Sequence, residues 1–349
     1  MNNRISRFLK YMENEGIKKV VVLKKENINY FLGKYFTSFS ALVFEDQAYL
    51  YVGNLDKDYA EELFNFLEVR EFKSWRDLFN GCDGVEEYLP ITYLKYLKKD
   101  YKIISKKIKE MRMIKDSEEV KNIEKAAKIS DKAIEWIYKN LDEVRKMTEI
   151  DVVAEIEYIM KKHGSIKPAF DSIVISGRKT SFPHALPTND RINDILLVDI
   201  GAVYNGYCSD ITRTFLLENK NTEYKNRDSN LNIEKTYELV YEAKRYAEEH
   251  LKDGISARSL DCMVREFFGE YKDLFIHSLG HGVGLEVHEE PRISCRVSDK
   301  EDVILKEGMI ITIEPGLYLK DHFGVRIEDL YLVKKQGFKK LSSAKIPKY

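Results

Sequence analysis

Apolar residues fall into regular patterns along most of the chain. Ile5, Phe8, Leu9 and Met12 recur at helical spacing and stop at Gly16, which suits a helix end. VVVL at residues 20–23 reads as a buried strand. It is followed by INYFLG and by ALVFEDQAYLYV, which a polar turn at Glu45-Asp46-Gln47 divides. Residues 59–67 read as helix and VREFKSW as a further short strand. This alternation predicts a mixed α/β unit through about Tyr101, with its aromatic side chains in the core or at the edge of a site or dimer contact, and with no ligand cluster. From Ser105 to Leu141 the pattern changes to long helices rich in Lys and Glu. Ile108, Met111 and Ile114 begin an apolar stripe, and Asp116-Ser117-Glu118-Glu119 has the acidity of a helix start. Residues 149–163 predict a helix burying Ile150, Val153, Ile156 and Ile159 and ending at Gly164. A strand at 172–176 opens into a loop that delivers His184 between two prolines. Residues 233–251 predict a helix with Tyr237, Val240, Ala243, Lys244 and Ala247 along one side, and Ser256 or Ser259 would cap the next. Residues 218–232 lack periodicity and read as an exposed, mobile loop.

Residues 196–215, LLVDIGAVYNGYCSDITRTF, break this pattern in an informative way. Asn205-Gly206 between alternating apolar runs is a strong hairpin signal, because both turn residues need positive φ. With a two-residue loop, Tyr204 faces Tyr207, Gly201 faces Asp210 and Asp199 faces Thr212. Asp199 and Asp210 then share a face as diagonal neighbours, about 7–8 Å apart at Cα. A one-residue bulge would put them on opposite faces. Two unpaired carboxylates in an apolar sheet repel one another and resist desolvation, so this register calls for a cation between them.

Length and composition narrow the setting. A chain of 349 residues favours two domains. With 57 Lys+Arg against 58 Asp+Glu, its net charge of −1 gives no reason to expect a nucleic-acid partner. The cysteines, Cys82, Cys208, Cys262 and Cys295, have no CxxC spacing, so neither a disulfide framework nor a thiolate zinc site is indicated. The amphipathic N-terminus lacks the apolar centre of a signal peptide, and no apolar run approaches the roughly 18 residues of a membrane span. The expectation is a cytoplasmic protein without a membrane partner.

Two later stretches supply more chemistry. FIHSLGHGVGLEVHEEP (residues 275–291) carries His277, His281 and His288 in a Gly-rich loop. The glycines argue against a helix presenting His277 and His281 four apart. In GMIITIEPGLYLKDHFGVRIEDLYLV (residues 308–333), an apolar strand at 309–313 ends in Glu314, and Pro315-Gly316 forces a turn. A partner strand over 325–333 puts Arg326 and Glu328 on one face, where a plain ion pair and a functional role are equal alternatives. Together Asp199, Asp210, His281, Glu314 and Glu328 offer four carboxylates and one imidazole. That set suits two divalent cations, Mn²⁺ or Co²⁺ first and Zn²⁺ or Fe²⁺ next, about 3.5–4 Å apart.

The order Asp, Asp, His, Glu, Glu in VDIGAVYNGYCSDITRTF, GHGVGLEVHEEP, TIEPGLY and GVRIED resembles the pita-bread metallopeptidases, in particular the Xaa-Pro peptidases (prolidase and aminopeptidase P). The resemblance implies an α+β protein. A smaller α/β N-terminal domain at residues 1–108 would precede a pita-bread (creatinase/aminopeptidase-like) catalytic domain at 109–349. It implies that Asp199 is bidentate on one metal, that Asp210 and Glu328 bridge, and that His281 and Glu314 complete the shells. His184, His277 and His288 would surround the substrate, with Arg326 supporting the ligand network beside it. In the implied hydrolysis, Glu314 is the base, His288 or His184 stabilises the oxyanion, and His277 or His288 protonates the leaving prolyl nitrogen. A dipeptidase must also hold the free carboxylate of proline; Arg292 is the candidate, a surface role being its plain alternative. The implied substrates are small proline-containing peptides, and the family often forms homodimers. Prolidase is the leading reading. Aminopeptidase P on longer peptides and a non-catalytic pita-bread binding module are the alternatives. A methionine aminopeptidase would leave the domain ahead of the helices unexplained.

Overall fold

The computed structural model describes residues 3–97, 100–217 and 231–347. The chain separates into two units, Met1–Arg112 and Met113–Tyr349. In the first, β1 (Val20–Val22), β2 (Ser40–Phe44), β3 (Ala48–Val52), β4 (Glu68–Glu71), β5 (Gly84–Val85) and β6 (Lys102–Ile103) form one sheet in the order 4-3-2-1-5-6. β1, β2 and β3 are antiparallel neighbours, whereas β4, β5 and β6 join in parallel. The helix Asn3–Glu15 buries Ile5, Phe8 and Met12, and INYFLG closes a helix over Lys25–Leu32 capped by left-handed Gly33. Phe8, Phe31 and Phe44 meet with ring centroids 4.7–5.2 Å apart, each such pair adding about 0.5–1.5 kcal/mol beyond area burial. The helix expected at 59–67 spans Lys57–Leu63. VREFKSW is extended only through Glu71, because the Ser74 hydroxyl accepts from Asp77 N–H and starts a short helix at Trp75.

The second unit repeats one plan: a helix pair, then a long hairpin. Asp116 and Glu119 form a capping box for the helix Ser117–Lys139, and Thr148 with Asp151 does the same for Glu149–Lys162. The stripe this second helix buries is Glu149, Val152, Ile156 and Met160; Ile150 is exposed and Val153 and Ile159 are half-buried. The expected face was rotated because periodicity gives no reason to bury a glutamate, and Glu149 is buried with its carboxylate satisfied. These helices pack on β7 (Ile173–Ser176), β8 (Ile195–Ile200) and the hairpin through β9 (Val203–Tyr204), β10 (Tyr207–Cys208) and β11 (Ile211–Leu216). The helices Ile233–His250 and Ala257–Phe268 cover the second set with Val240, Ala247, Leu260 and Val264. That set is β12 (Gly280–Gly282), β13 (Glu289–Ile293), β14 (Ile310–Ile313), β15 (Gly316–Leu319), β16 (Phe323–Arg326), β17 (Asp329–Val333) and β18 (Phe338–Lys340). The cap of Ala257–Phe268 is Ser256. Of the loop expected at 218–232, residues 218–230 lie outside the described residues, and Asn232 caps the following helix. No described helix is long and apolar enough to cross a membrane.

Each hairpin changes sheet halfway without losing register. In the first, Tyr204 pairs with Tyr207 beyond the break and Asp199 with Thr212 before it; Asn205 (φ 49°) and Gly206 (φ 84°) make the tight turn. In the second, Ile313 pairs with Asp329 and, past the break, Gly316 with Arg326, which sets Glu314 opposite Glu328. The strand expected over 325–333 is therefore two strands in two sheets, and Gly316 opens a strand instead of a reversal. Side-chain alternation runs on through such a break, so the pattern could not register it. One cysteine expectation is also overturned. Cys262 and Cys295 form a disulfide, their Cα atoms 5.2 Å apart across 33 residues of sequence. Tertiary packing brings the helix Ala257–Phe268 to the end of β13, a proximity that sequence spacing does not encode.

Candidate metal centre

The two hairpin breaks meet. Glu328 N–H donates to Thr212 O (3.1 Å), Thr214 Oγ1 donates to Arg326 O (2.8 Å), and Thr212 Oγ1 donates to Glu328 Oε2 (2.7 Å). Backbone released from one sheet at each break is thus bonded across to the other hairpin. The carboxylates at those breaks turn into the gap. Asp210, His281 and Glu328 each present a potential ligand atom, all within 4.8 Å of one another. His281 Nε2 lies 3.6 Å from Asp210 Oδ2 and 3.4 Å from Glu314 Oε1. Asp199 stands at the edge of this group, its Oδ2 bonded by Arg326 Nη2 at 2.7 Å.

His281 is delivered by strand β12, as the glycines around it suggested. A Cβ on Gly280 would sit 2.2 Å from Thr312 O, so only glycine permits this approach to β14. The His281 Nδ1–H donates to Gly282 O (3.1 Å), which turns Nε2 toward the carboxylates, where it donates to Glu314 when protonated and offers a lone pair when neutral. Asp199 Oδ1, Asp210 Oδ1 and Glu328 Oε1 are buried without a hydrogen-bond donor. Three bare carboxylate oxygens and one aligned imidazole nitrogen fit the donor set of divalent metal ions.

The electrostatics agree. Burial, then repulsion from Glu328, Asp199 and Glu314, pushes the Asp210 carboxyl well above its ordinary value. Burial, with Glu314 and Asp199, does the same to Glu328. Burial also works against ionised Glu314, but its hydrogen bond and charge pairing with His281 outweigh that and hold it at about 2. Burial opposes the His281 imidazolium, yet the Glu314 contact raises its pKa. The metal-free site is therefore held together by protons. A carboxylate whose folded pKa is raised binds more protons folded than unfolded, so its contribution to stability falls as pH rises from the ordinary carboxylate range upward. Stripped protein is expected to lose thermal stability between pH 5 and 8, and metal addition should reverse this with proton release. Calorimetric titration in two buffers of different ionisation enthalpy measures that release.

The surrounding residues divide into two groups. Arg326 is buried, and its guanidinium is taken up by Asp199, Tyr318 OH (2.6 Å) and Thr212 Oγ1 (3.2 Å). It pairs with Asp199, not with Glu328 as the strand alternation suggested. His277 is occupied at both nitrogens: Nδ1 lies 2.8 Å from Ser278 O, which can only accept, so Nε2 accepts from Tyr318 OH at 2.9 Å. Burial lowers its pKa to about 4 and raises that of Tyr318 to about 12. His288 is open to solvent, with its ring 4.3 Å from that of His281; burial of part of the ring and the charge of His281 lower its pKa. His184 is exposed and close enough to disfavour protonation of His277 and His288. Arg292 pairs with His281 in the β12–β13 ladder; it is exposed and donates from Nε to Ser278 Oγ at 3.3 Å.

Sequence reasoning missed Tyr318, Thr212 and Thr312. Thr312 Oγ1 accepts from His281 N–H at 3.1 Å. Each is an even number of positions from a candidate ligand on its own strand path, so period-two spacing from Asp210 and Glu314 could have found them.

Comparison with known proteins agrees with this geometry. Residues 4–114 match the creatinase/prolidase N-terminal domain and residues 121–335 match metallopeptidase family M24. The chain is 74% identical to an uncharacterized peptidase of Methanocaldococcus jannaschii, covering 100% of this chain and 98% of that protein. It is 38% identical to an Xaa-Pro dipeptidase of Pyrococcus horikoshii, over 98% of this chain and 97% of the relative. The solved prolidase from Pyrococcus horikoshii superposes with a TM-score of 0.88 at 36% identity, covering 99% of both chains. A pita-bread domain with these motifs, behind a creatinase-type N-terminal domain, places the protein in metallopeptidase family M24.

Proposed function

We propose that the protein is an Xaa-Pro dipeptidase that hydrolyses the peptide bond before a C-terminal proline. The observation that carries this reading is the convergence of Asp210, His281 and Glu328 around buried carboxylate oxygens that lack donors. The Xaa-Pro dipeptidase relative at 38% identity supports the substrate class. Asp199, Asp210, His281, Glu314 and Glu328 would hold two divalent ions, and the oxygen-rich donor set favours Mn²⁺ or Co²⁺. When bound, such ions supply Lewis acidity toward the scissile carbonyl and lower the pKa of water.

The protein's own residues supply the rest. Glu314, held ionised beside His281, accepts the proton of the attacking water. His184 and His288, both open to solvent, are free to donate N–H bonds to the developing oxyanion. His288 is also placed to return a proton to the prolyl nitrogen. His277 has no free nitrogen, so it orients Tyr318 and through it Arg326, which fixes Asp199. Of the two arginines, Arg292 remains available to a substrate carboxylate. Because an Xaa-Pro bond has no N–H, recognition must come from the ring and from that carboxylate.

The test is hydrolysis of matched Xaa-Pro and Xaa-Pro-Xaa peptides by Mn²⁺- or Co²⁺-loaded protein, where the dipeptide should be the better substrate. Preference for the longer peptide gives an aminopeptidase P instead. No metal affinity and no hydrolysis of either gives a non-catalytic binding module. Arg292→Leu is expected to raise KM for the dipeptide about 10- to 100-fold with a smaller change in kcat, the size of one lost charge-assisted bond.

A further inference from the structure

Glu149 is a fully buried carboxylate that the ligand network does not use. It opens the helix Glu149–Lys162 and receives donors from two places far apart in sequence. Oε1 accepts from Ser176 N–H at 2.8 Å, where β7 ends. Oε2 accepts from Thr188 N–H at 2.9 Å and from Lys179 Nζ, while the Thr188 hydroxyl, 3.2 Å from Oε2, donates to Asp190 Oδ2 at 2.7 Å. Between these stems runs the loop that carries His184. Its base is closed further by Glu149 N–H to Asp190 O (3.0 Å) and by Asn193 N–H to Ser176 Oγ (2.6 Å). Gly324 N–H donates to Thr180 Oγ1 at 2.9 Å, which ties the first turn of the loop to β16, the strand that ends in Arg326. Beyond these ties the tip exposes His184 between Phe182 and Leu186.

We propose that Glu149 is a positioning residue for His184: one buried carboxylate clamps both stems of the loop and so sets where the histidine stands against the metal centre. Only an acceptor on both oxygens can serve all three donors. A glutamine would turn its NH₂ toward one of the stems and release it. The catalytic half of the inference rests on the Xaa-Pro reading; the clamp does not.

The experiment uses the full-length protein with Glu149→Gln, His184→Ala and the double variant. Hydrogen exchange of wild type and Glu149→Gln should show faster exchange in residues 178–190 by about tenfold or more, with the ligand strands unchanged. Metal content should also be unchanged. On Xaa-Pro substrate, Glu149→Gln should lower kcat/KM by about tenfold, and the double variant should fall little below His184→Ala alone. A merely structural role would give independent, multiplying effects, and that result overturns the proposal. Unchanged exchange in residues 178–190 overturns it as well. If wild type does not cleave Xaa-Pro peptides, the exchange result alone decides the clamp and the proposed function fails separately. Should Glu149→Gln fail to fold, Lys179→Met removes one of the three donors and should loosen the same segment to a smaller degree; no loosening there overturns the clamp.

Discussion

Asp210→Asn is expected to abolish metal loading and turnover while leaving the metal-free protein as stable as wild type, or more so. The side chain is buried, and Asn matches its volume. What changes is charge and one ligand oxygen. In the metal-free protein Asp210 is repelled by Glu328, Asp199 and Glu314, so neutralising it relieves repulsion and breaks no hydrogen bond to Oδ1, which has none. With metal present the sign reverses. An amide NH₂ directed at the site opposes a cation, and the donor set loses the residue that faces both His281 and Glu328. Wild type should gain about 2.7 kcal/mol of stability at metal concentrations near 100 Kd, and the variant should gain almost nothing. Elemental analysis, melting with and without Mn²⁺, and Xaa-Pro turnover together check this. A metal-replete, fully active Asp210→Asn protein would sink the ligand assignment.

That prediction draws on features that were unevenly legible in the sequence. The two-residue turn at Asn205-Gly206 fixed the register of the first hairpin, because positive φ at both positions leaves few alternatives. Asp199 opposite Thr212 followed directly. The second hairpin is less legible. Strand alternation runs unbroken from Val325 to Val333, but the chain changes sheet between Arg326 and Asp329. It is this change, matched across the strand pair, that sets Glu314 opposite Glu328 at the opening. Local pattern encodes which face a residue takes, not which sheet its strand joins. The Glu149 and Arg326 partnerships were hidden for a related reason. A buried charge is stabilised by donors from distant segments, so nothing adjacent in sequence announces it. The pairing of Cys262 with Cys295 belongs to the same class.

Asp329→Asn, one residue beyond Glu328, is expected to do the opposite of Asp210→Asn. Asp329 is fully buried; its Oδ1 accepts from Arg213 Nη2 (2.7 Å) and Ser342 Oγ (2.7 Å), and its Oδ2 forms ion pairs with Lys244 Nζ (2.7 Å) and Lys340. Burial opposes its charge, but Arg213, Lys244 and Lys340 outweigh this and hold its carboxyl far below the ordinary range. Arg213, itself fully buried, also donates from Nη1 to Thr212 O (2.9 Å) and Glu328 O (2.5 Å). The cation thus ties together the backbones of the two hairpin breaks from behind the candidate metal centre. Removing the anion leaves buried guanidinium and ammonium groups facing one another, a loss of about 3–5 kcal/mol for a broken buried pair. At about 2–4 °C per kcal/mol for a domain of this size, melting should fall by roughly 10 °C. Because the folded pKa of Asp329 is depressed, its contribution is complete above the ordinary carboxylate range and is lost only as pH falls toward the folded value. The deficit of the variant should therefore be flat from pH 5 to 8, where the metal-free wild type itself changes with pH. Denaturant melts across that range decide the matter. A variant within 1 kcal/mol of wild type would mean that the cations find other partners and that Asp329 does not anchor the break.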